Sequence, residues 1–380
     1  MKILHLADVH LDRPFVGLPA DEARARRADL LGTFRRCLEA ARGHGVDAVT
    51  IGGDLWEEEH VTVDTRRAVA YELGRLAVPV VLIAGNHDPL LPGGSHARTD
   101  WPVNVRMLRA DSPEEVELPG GRVSVWGVSW GAGPLDAGFL RRPPALDRSR
   151  VNLLLLHGSA QSVTWFADGD AYCPFDPQAV IAAGFDRCLA GHIHRAGDDG
   201  VVVYPGSPEP LDWTETGRHA YAIVTVGPGG EVEVELHDVN ARRYAALEVD
   251  CSGLGSGAEV AGRVEERIAA AGLGGPEICL SLKLTGAVAP GCRVEARALG
   301  ERLRGRLAAL RVADATHEAV DVEAVARRRT VDGVFARRLL ARIEAARAAG
   351  DEAAQTELEL ALKAGLAAME GREVLVDVDP

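Results

Sequence analysis

Over residues 1–240, short apolar runs alternate with polar stretches that carry helical spacing. The runs KILHLADVH, DAVTIGGD, PVVLIAGNHD, RVSVWGVSW, VNLLLLHGS and FDRCLAGHIH read as buried strands, because continuous apolar segments belong to sheets covered on both faces. Between the first two lies DEARARRADLLGTFRRCLEAARGHG, an amphipathic arginine-rich segment that predicts a helix stopped at Gly43 or Gly45. Later runs, VVVYPGS, HAYAIVTV and EVEVELHDV, follow one another through Gly/Pro turns, which predicts antiparallel pairing. Helices between the early strands and hairpins among the later ones predict a mixed α/β sheet system.

After HDVNARRYAALEVD the pattern changes. A glycine-rich link, CSGLGSGAE, leads into a predicted helix, AEVAGRVEERIAAAG, then a strand, EICLSLKLTG, then a second predicted helix, RVEARALGERLRGRLAAL. This alternation predicts a small α/β domain over 241–320, following a first domain over 1–240. Residues 321–380 are rich in Ala, Arg, Glu and Leu and predict a helical segment. Seven arginines between Arg327 and Arg347 face only Asp332 and Glu344, so this helix is either a DNA-backbone or partner-docking face or a solvated surface.

The chemistry-bearing residues of the first domain share one position. Asp8 and His10, Asp54, Asn86 and His87, His157, and His192 and His194 each fall at the C-terminal end of a predicted strand or just beyond it. Ligand sites of open α/β sheets collect at that edge, so five separated segments are expected to converge. The Asp8–His10 and His192–His194 spacings place each pair on one side of an extended segment, because side chains alternate along a strand. Taken singly, each motif has an ordinary structural reading, such as a cap, a turn or a hydrogen-bonded core histidine. Together they supply two carboxylates, four imidazoles and an amide oxygen, with one histidine to spare. With one carboxylate shared, that inventory makes two four-ligand sites of the kind a two-metal hydrolase needs.

The order D-x-H, G-D, G-N-H-D, H, G-H-x-H resembles the calcineurin-like metallophosphoesterase superfamily over residues 1–240. HLADVHLDRPFVGL and YPGSPEPLDWTETG are further similar to bacterial DNA-repair exonucleases of the SbcD and YhaO type. The resemblance implies a four-layer α-β-β-α sandwich with mixed sheets, a small capping domain that reads DNA shape, and a helical C-terminal segment. It also implies a dinuclear centre of two divalent ions, manganese by preference. One ion would be held by Asp8, His10, Asp54 and His194, the other by Asp54, Asn86, His157 and His192. His87 would lie outside both spheres and act on the phosphate or the leaving oxygen. The implied activity is DNA phosphodiester hydrolysis, in partnership with an SMC-like ATPase of the SbcC type and with homodimerisation. Where related nucleases often read GDLFH, this chain reads GDLWEEEH, so Glu57 takes the histidine's position. The acidic cluster Glu57–Glu59 is unhelpful beside a phosphate and reads as the start of a solvated helix.

Composition limits these expectations without redirecting them. A formal net charge of −14 excludes a uniformly basic nucleic-acid coat, though not a local patch. Only Lys2, Lys283 and Lys363 are lysines among 42 basic residues, a bias that carries no signal for phosphate binding. Six scattered cysteines without CxxC spacing predict reduced thiols in a cytoplasmic protein. No segment approaches the roughly 18 uninterrupted apolar residues of a membrane span, and the first residues read as a strand rather than a signal peptide. Two other readings remain: a phosphodiesterase or phosphatase for small substrates on the same constellation, and a non-catalytic scaffold for an ATPase. Retention of His87 counts against the scaffold.

Overall fold

The structure is a computed structural model that describes residues 1–110, 112–161, 172–303, 305–369 and 371. The early strands are β1 (Lys2–Leu6), β2 (Ala48–Gly52), β3 (Val80–Ile83), β4 (Val105–Met107), β5 (Glu114–Glu117) and β6 (Val123–Gly127). They are followed by β7 (Val151–His157), β8 (Arg187–Gly191), β9 (Gly197–Asp198), β10 (Val202–Tyr204), β11 (Ala220–Val226) and β12 (Val232–Asp238). These twelve strands form two six-stranded sheets, ordered β12-β11-β1-β2-β3-β4 and β5-β6-β7-β8-β10-β9. In the first sheet β1 to β4 run parallel and β11 pairs antiparallel with β1 and with β12. In the second, β6, β7, β8 and β10 run parallel between antiparallel edges.

Three apolar layers explain why the central strands lack polar alternation. Leu4, Leu6, Val49, Ile51, Val80 and Leu82 turn toward α1 (Ala20–His44) and α2 (Val63–Gly74), in a core with Leu30, Phe34 and Val69. Ile3, Val81, Ile83, Val125, Leu153, Leu155 and Leu189 fill the space between the sheets. Leu154, Leu156, Cys188 and Ala190 face away from the first sheet, in a core with Val180 and Ala183 of α3 (Pro177–Ala183). Successive residues of one strand therefore enter different cores, as the two-residue side-chain period requires. The result is the α-β-β-α sandwich with mixed sheets. Helix α1 stops as expected, with Gly45 at φ 60° accepting the left-handed turn and its N–H capping Ala41 and Arg42 carbonyls.

Two expectations fail. VVVY does not pair with HAYAIVTV; as β10 it lies parallel to β8 in the second sheet. The Gly/Pro segment that follows it is no hairpin turn; the chain there crosses from the second sheet to the first. The segment RVEARALGERLRGRLAAL is not one helix. Only α5 (Ala296–Leu303) is helical, and Leu307–Asp314 is a strand after Gly305 at φ 79°. Alanine and leucine suit a helix locally, but pairing with a neighbouring strand overrides that preference.

The remaining elements are β13 (Arg243–Asp250), α4 (Gly257–Ala270), β14 (Gly275–Thr285), β15 (Ala287–Val288), β16 (Leu307–Asp314) and β17 (His317–Glu318). Strands β13, β14 and β16 form a three-stranded sheet, and β15 pairs with β17. The C-terminal helices are α6 (Val322–Ala326), α7 (Val331–Ala349) and α8 (Glu352–Met369). They bury Ala336, Leu339 and Ile343 against Leu362 and Leu366, and Gly350 at φ 72° separates α7 from α8. Compact contacts divide the chain into two units, Met1–Leu247 with Leu273–Ser281 and Leu303–Arg311, and Glu248–Gly272 with Leu282–Arg302 and Val312–Pro380. All six cysteines are free and buried. No helix among the described residues is long and apolar enough to cross a membrane.

Candidate metal centre

Because β1 to β3 and β7 to β8 run parallel within their sheets, the loops that follow them open at one edge. Asp8, Asp54, Asn86 and His157 all reach that edge, as do His10, His87, His192 and His194. The extended phase expected for the paired residues is absent. Strand β1 ends at Leu6 and β8 at Gly191, and Asp8 (φ 53°), His10 (φ 49°), Asp54 (φ 49°) and His192 (φ 98°) are left-handed. Each such residue costs on the order of 1–3 kcal/mol. Hydrogen bonds between loops hold them there: Asp8 N–H to the Gly53 carbonyl at 3.1 Å, His10 N–H to the Asp54 carbonyl at 3.0 Å, and His192 N–H to the Asp8 carboxylate at 2.8 Å. The side chains are thereby aimed into one space rather than alternating across a pleat.

Small residues make room for this approach. A Cβ on Gly191 would meet Ala7 Cβ and His157 Nδ1, each at 2.9 Å. Buried Asp88 pins the Asp54 loop to the Asn86 loop, its Oδ1 accepting N–H groups from Gly85 (2.6 Å) and Asp54 (3.0 Å), and its Oδ2 one from Leu55 (2.8 Å). His96 Nε2 also meets Oδ2, at 3.0 Å, with the His96 ring stacked on Trp56.

The imidazoles decide what this space can hold. His10 Nδ1 lies 2.9 Å from Glu57 Oε1, His194 Nδ1 lies 2.8 Å from Glu215 Oε1, and His157 Nδ1 lies 2.8 Å from the Gly52 carbonyl. Each of those oxygens only accepts, so each Nδ1 carries the proton and each neutral ring turns an Nε2 lone pair inward. The Nε2 atoms of His10 and His194 then face each other at 3.1 Å. His157 Nε2 lies 3.0 Å from Asn86 Oδ1 and 3.3 Å from Asp54 Oδ2. Lone pairs opposed in this way require positive charge between them, and an outer oxygen fixing each ring is the usual support of a metal-binding histidine.

Without a metal, protons supply that charge. Burial works against protonation of His157 and His194, but Asp54 and Glu215 respectively outweigh it and lift both to about 9. Burial raises the Asp8 carboxyl above its ordinary range despite its histidine neighbours. The opposite balance holds at Asp54, where burial is overcome by His157, His10 and His87 and the carboxylate is held low. Glu215 falls to about 2, the His194 bond overriding burial. Imidazole, carboxylate and amide oxygen together suit hard and borderline divalent cations. Among the described residues three groups have ligand atoms within 4.8 Å of one another: Asp8, His10 and His194; His10, Asp54 and His87; and Asp8, Asp54 and His157.

His192 belongs to none of those groups; its ring lies 5.4 Å from that of His157 and 5.2 Å from that of Tyr172. His87 stands at the mouth, its side chain 43% exposed, with its N–H bonded to Asp54 Oδ1 at 2.8 Å.

Three contributors escaped the sequence reading. Asp88 was visible as the last letter of GNHD. Glu215, 21 residues beyond His194, had no signal. Glu57 does not open the solvated helix that its acidic neighbourhood suggests. Helix α2 begins only at Val63, capped by Thr62, and Glu57 sits in a turn with its side chain 13% exposed. Its Oε1 contacts His10 Nδ1 and its Oε2 contacts His87 Nδ1, both at 2.9 Å.

The family model described as calcineurin-like phosphoesterase matches residues 1–196, the span that contains every residue above except Glu215. The chain is 28% identical over 300 residues to the uncharacterized metallophosphoesterase YhaO of Bacillus subtilis, covering 75% of this chain and 72% of that one. It is 26% identical over 281 residues to a DNA double-strand break repair protein Mre11 of Methanopyrus kandleri, covering 66% of this chain and 59% of the relative. To the Mre11 of Haloferax volcanii it is 27% identical over 266 residues, with shares of 66% and 55%. The matched region thus spans less than two thirds of both Mre11 relatives.

Proposed function

The chain belongs to the calcineurin-like phosphoesterase family, and on that premise we propose that it hydrolyses DNA phosphodiester bonds with two divalent ions, manganese by preference. The observation that carries the reading is the inward convergence of three Nε2 atoms: those of His10 and His194 meet each other, those of His10 and His157 meet Asp54, and that of His157 also meets Asn86. In this assignment Asp8, His10, Asp54 and His194 hold one ion, and Asp54, Asn86, His157 and His192 hold the other. Bound there, such ions offset the charge of a phosphodiester and lower the pKa of water. The protein's own part is to orient and to move a proton. Glu57 keeps the His87 proton at Nδ1 and favours the charged ring, which leaves Nε2 to hydrogen-bond the phosphate and protonate the leaving oxygen.

DNA as substrate is supported by the similarity to proteins named for double-strand break repair. We assign residues 241–320 to a capping domain and 321–380, of which 370 and 372–380 lie outside the described residues, to a helical segment that binds an SMC-like ATPase, with homodimerisation of the whole chain. Exposed Val331 and Val334 beside Arg338 and Arg342 on α7 support the docking role, since apolar anchors ringed by arginine suit a protein interface. The test is hydrolysis of end-labelled DNA duplexes and of bis-p-nitrophenyl phosphate with Mn²⁺, with and without the ATPase. His87→Ala should lower the rate by about 10²–10⁴-fold while metal binding persists. Cleavage of the small ester with no DNA cleavage, even beside the ATPase, would remove DNA from the reading.

A further inference from the structure

Next to the metal centre lies a cavity of about 350 Å³ whose wall includes Glu57, the residue that also holds His87. Its other walls come from residues between 13 and 18, from His60, from 211–213, and from Tyr244 of β13 and Arg311 of β16. The half-buried Trp213 supplies aromatic surface beside the buried Phe15 and Tyr244, and Arg13 and Arg311 supply cationic donors.

The arrangement is held on purpose-built supports. Phe15 sits at φ 50°, a conformation that is an outlier for a bulky residue, and its ring is buried with the Arg26 guanidinium 5.4 Å away. Tyr244 is buried too, 5.8 Å from the same guanidinium and 4.9 Å from the Trp213 ring at a tilt of 59°. The Arg311 guanidinium lies over Trp213 at 4.3 Å. Glu209, from PGSPEP, gathers these parts: its carboxylate meets Arg26 at 3.5 Å and Arg36 at 3.3 Å and accepts N–H bonds from Ala241 and Arg242. That anchors both the Trp213 loop and the approach to β13 onto α1.

A pocket of this size is at the small end of the range for compact ligands, about 300–1,000 Å³. Aromatic faces and a flat guanidinium favour a planar π system, and arginine donors favour one with carbonyl or ring-nitrogen acceptors at its edge. Glu57 lines this pocket and its Oε2 contacts His87 Nδ1 at 2.9 Å. We propose that this pocket stacks the nucleobase of the nucleotide adjoining the scissile phosphate. The proposal rests on the phosphodiesterase reading above, and the experiment separates the two.

Full-length protein with Mn²⁺ is assayed on two chromogenic esters, thymidine 5′-(p-nitrophenyl phosphate) and methyl p-nitrophenyl phosphate, which lacks a base. Binding of dAMP to metal-free protein is followed in parallel by ligand-observed NMR. The wild type should prefer the nucleoside ester. Trp213→Ala should lower that preference and the dAMP affinity about tenfold, the scale of one base–aromatic stack, and Trp213→Phe should restore most of both. Arg311→Gln, at an exposed position, should weaken them in the same direction and covers the case in which Trp213→Ala does not fold. Equal losses on both esters, or a wild type that neither prefers the nucleoside ester nor binds dAMP, would overturn the pocket. If neither ester is cleaved but dAMP binds through Trp213, the pocket stands and the hydrolytic reading falls.

Discussion

Replacing Glu57 by glutamine tests how the centre is supported. The carboxylate accepts from His10 Nδ1 and His87 Nδ1, each at 2.9 Å, and from Arg13 at 3.2 Å. Burial would raise its pKa, yet the two imidazole hydrogen bonds hold it below the usual carboxylate range. A glutamine side chain keeps one acceptor oxygen and turns an NH₂ donor toward the other ring. One imidazole must then change tautomer. If His10 changes, its Nε2 gains a proton and no longer faces the centre as a ligand; if His87 changes, it loses its charge-stabilising partner. Loss of such an outer partner typically lowers metal affinity or activity 10–100-fold, about 1.4–2.7 kcal/mol. The pH profile carries a second signature. The hydrogen bond that His87 donates to Glu57 is the main cause of the raised His87 pKa. A general acid must be protonated, so activity falls as pH rises through that pKa. Without Glu57 the pKa drops, and the alkaline fall in kcat/KM should begin at lower pH. Steady-state hydrolysis of bis-p-nitrophenyl phosphate across Mn²⁺ concentration and pH measures both. A Glu57→Gln protein with the wild-type Mn²⁺ activation curve and an unmoved alkaline limb would refute the account.

Glu215→Ala removes the acceptor behind His194 and should weaken Mn²⁺ binding about 10–100-fold by calorimetry. His5 is fully buried between Thr50 Oγ1 (3.0 Å) and the Ala190 carbonyl (3.2 Å), and burial lowers its pKa from 6.5 to about 4. Below 6.5 the unfolded chain takes up a proton that the folded chain refuses, so stability falls as pH drops from 6.5 to 4. The loss is about 3 kcal/mol. Denaturant midpoints of His5→Asn should be flatter than wild type across that window, and an identical acid slope would count against the assignment. Gly85→Ala drives a Cβ to within 2.7 Å of the Asp54 backbone nitrogen and against its carboxylate. Overpacking of this kind costs about 1–3 kcal/mol, so melting temperature and bound metal should fall together.

Much of the site was legible in the sequence. Apolar runs placed β1, β2, β3, β7 and β8, and the position of Asp8, Asp54, Asn86, His157 and His192 after them identified a common edge, as the structure bears out. What local pattern misjudged was backbone phase. The Asp8–His10 and His192–His194 spacings suggested extended chain, but left-handed residues aim those side chains instead. Such conformations are maintained by inter-loop hydrogen bonds, one of them linking His192 to Asp8 across 184 positions.

The sequence by itself determined that the apolar runs of β1, β2, β3, β7 and β8 become strands and which residue types stand at their ends, because burial and side-chain period act over a few neighbouring residues. Only the tertiary structure decided that β10 joins the second sheet, that Leu307–Asp314 is a strand, and that Glu57 and Glu215 stand behind His10, His87 and His194. A hydrogen-bond partner brought in from another loop leaves no periodic trace in the chain. Its position follows from how two sheets close on each other, and that closure is set by the whole core rather than by any one stretch.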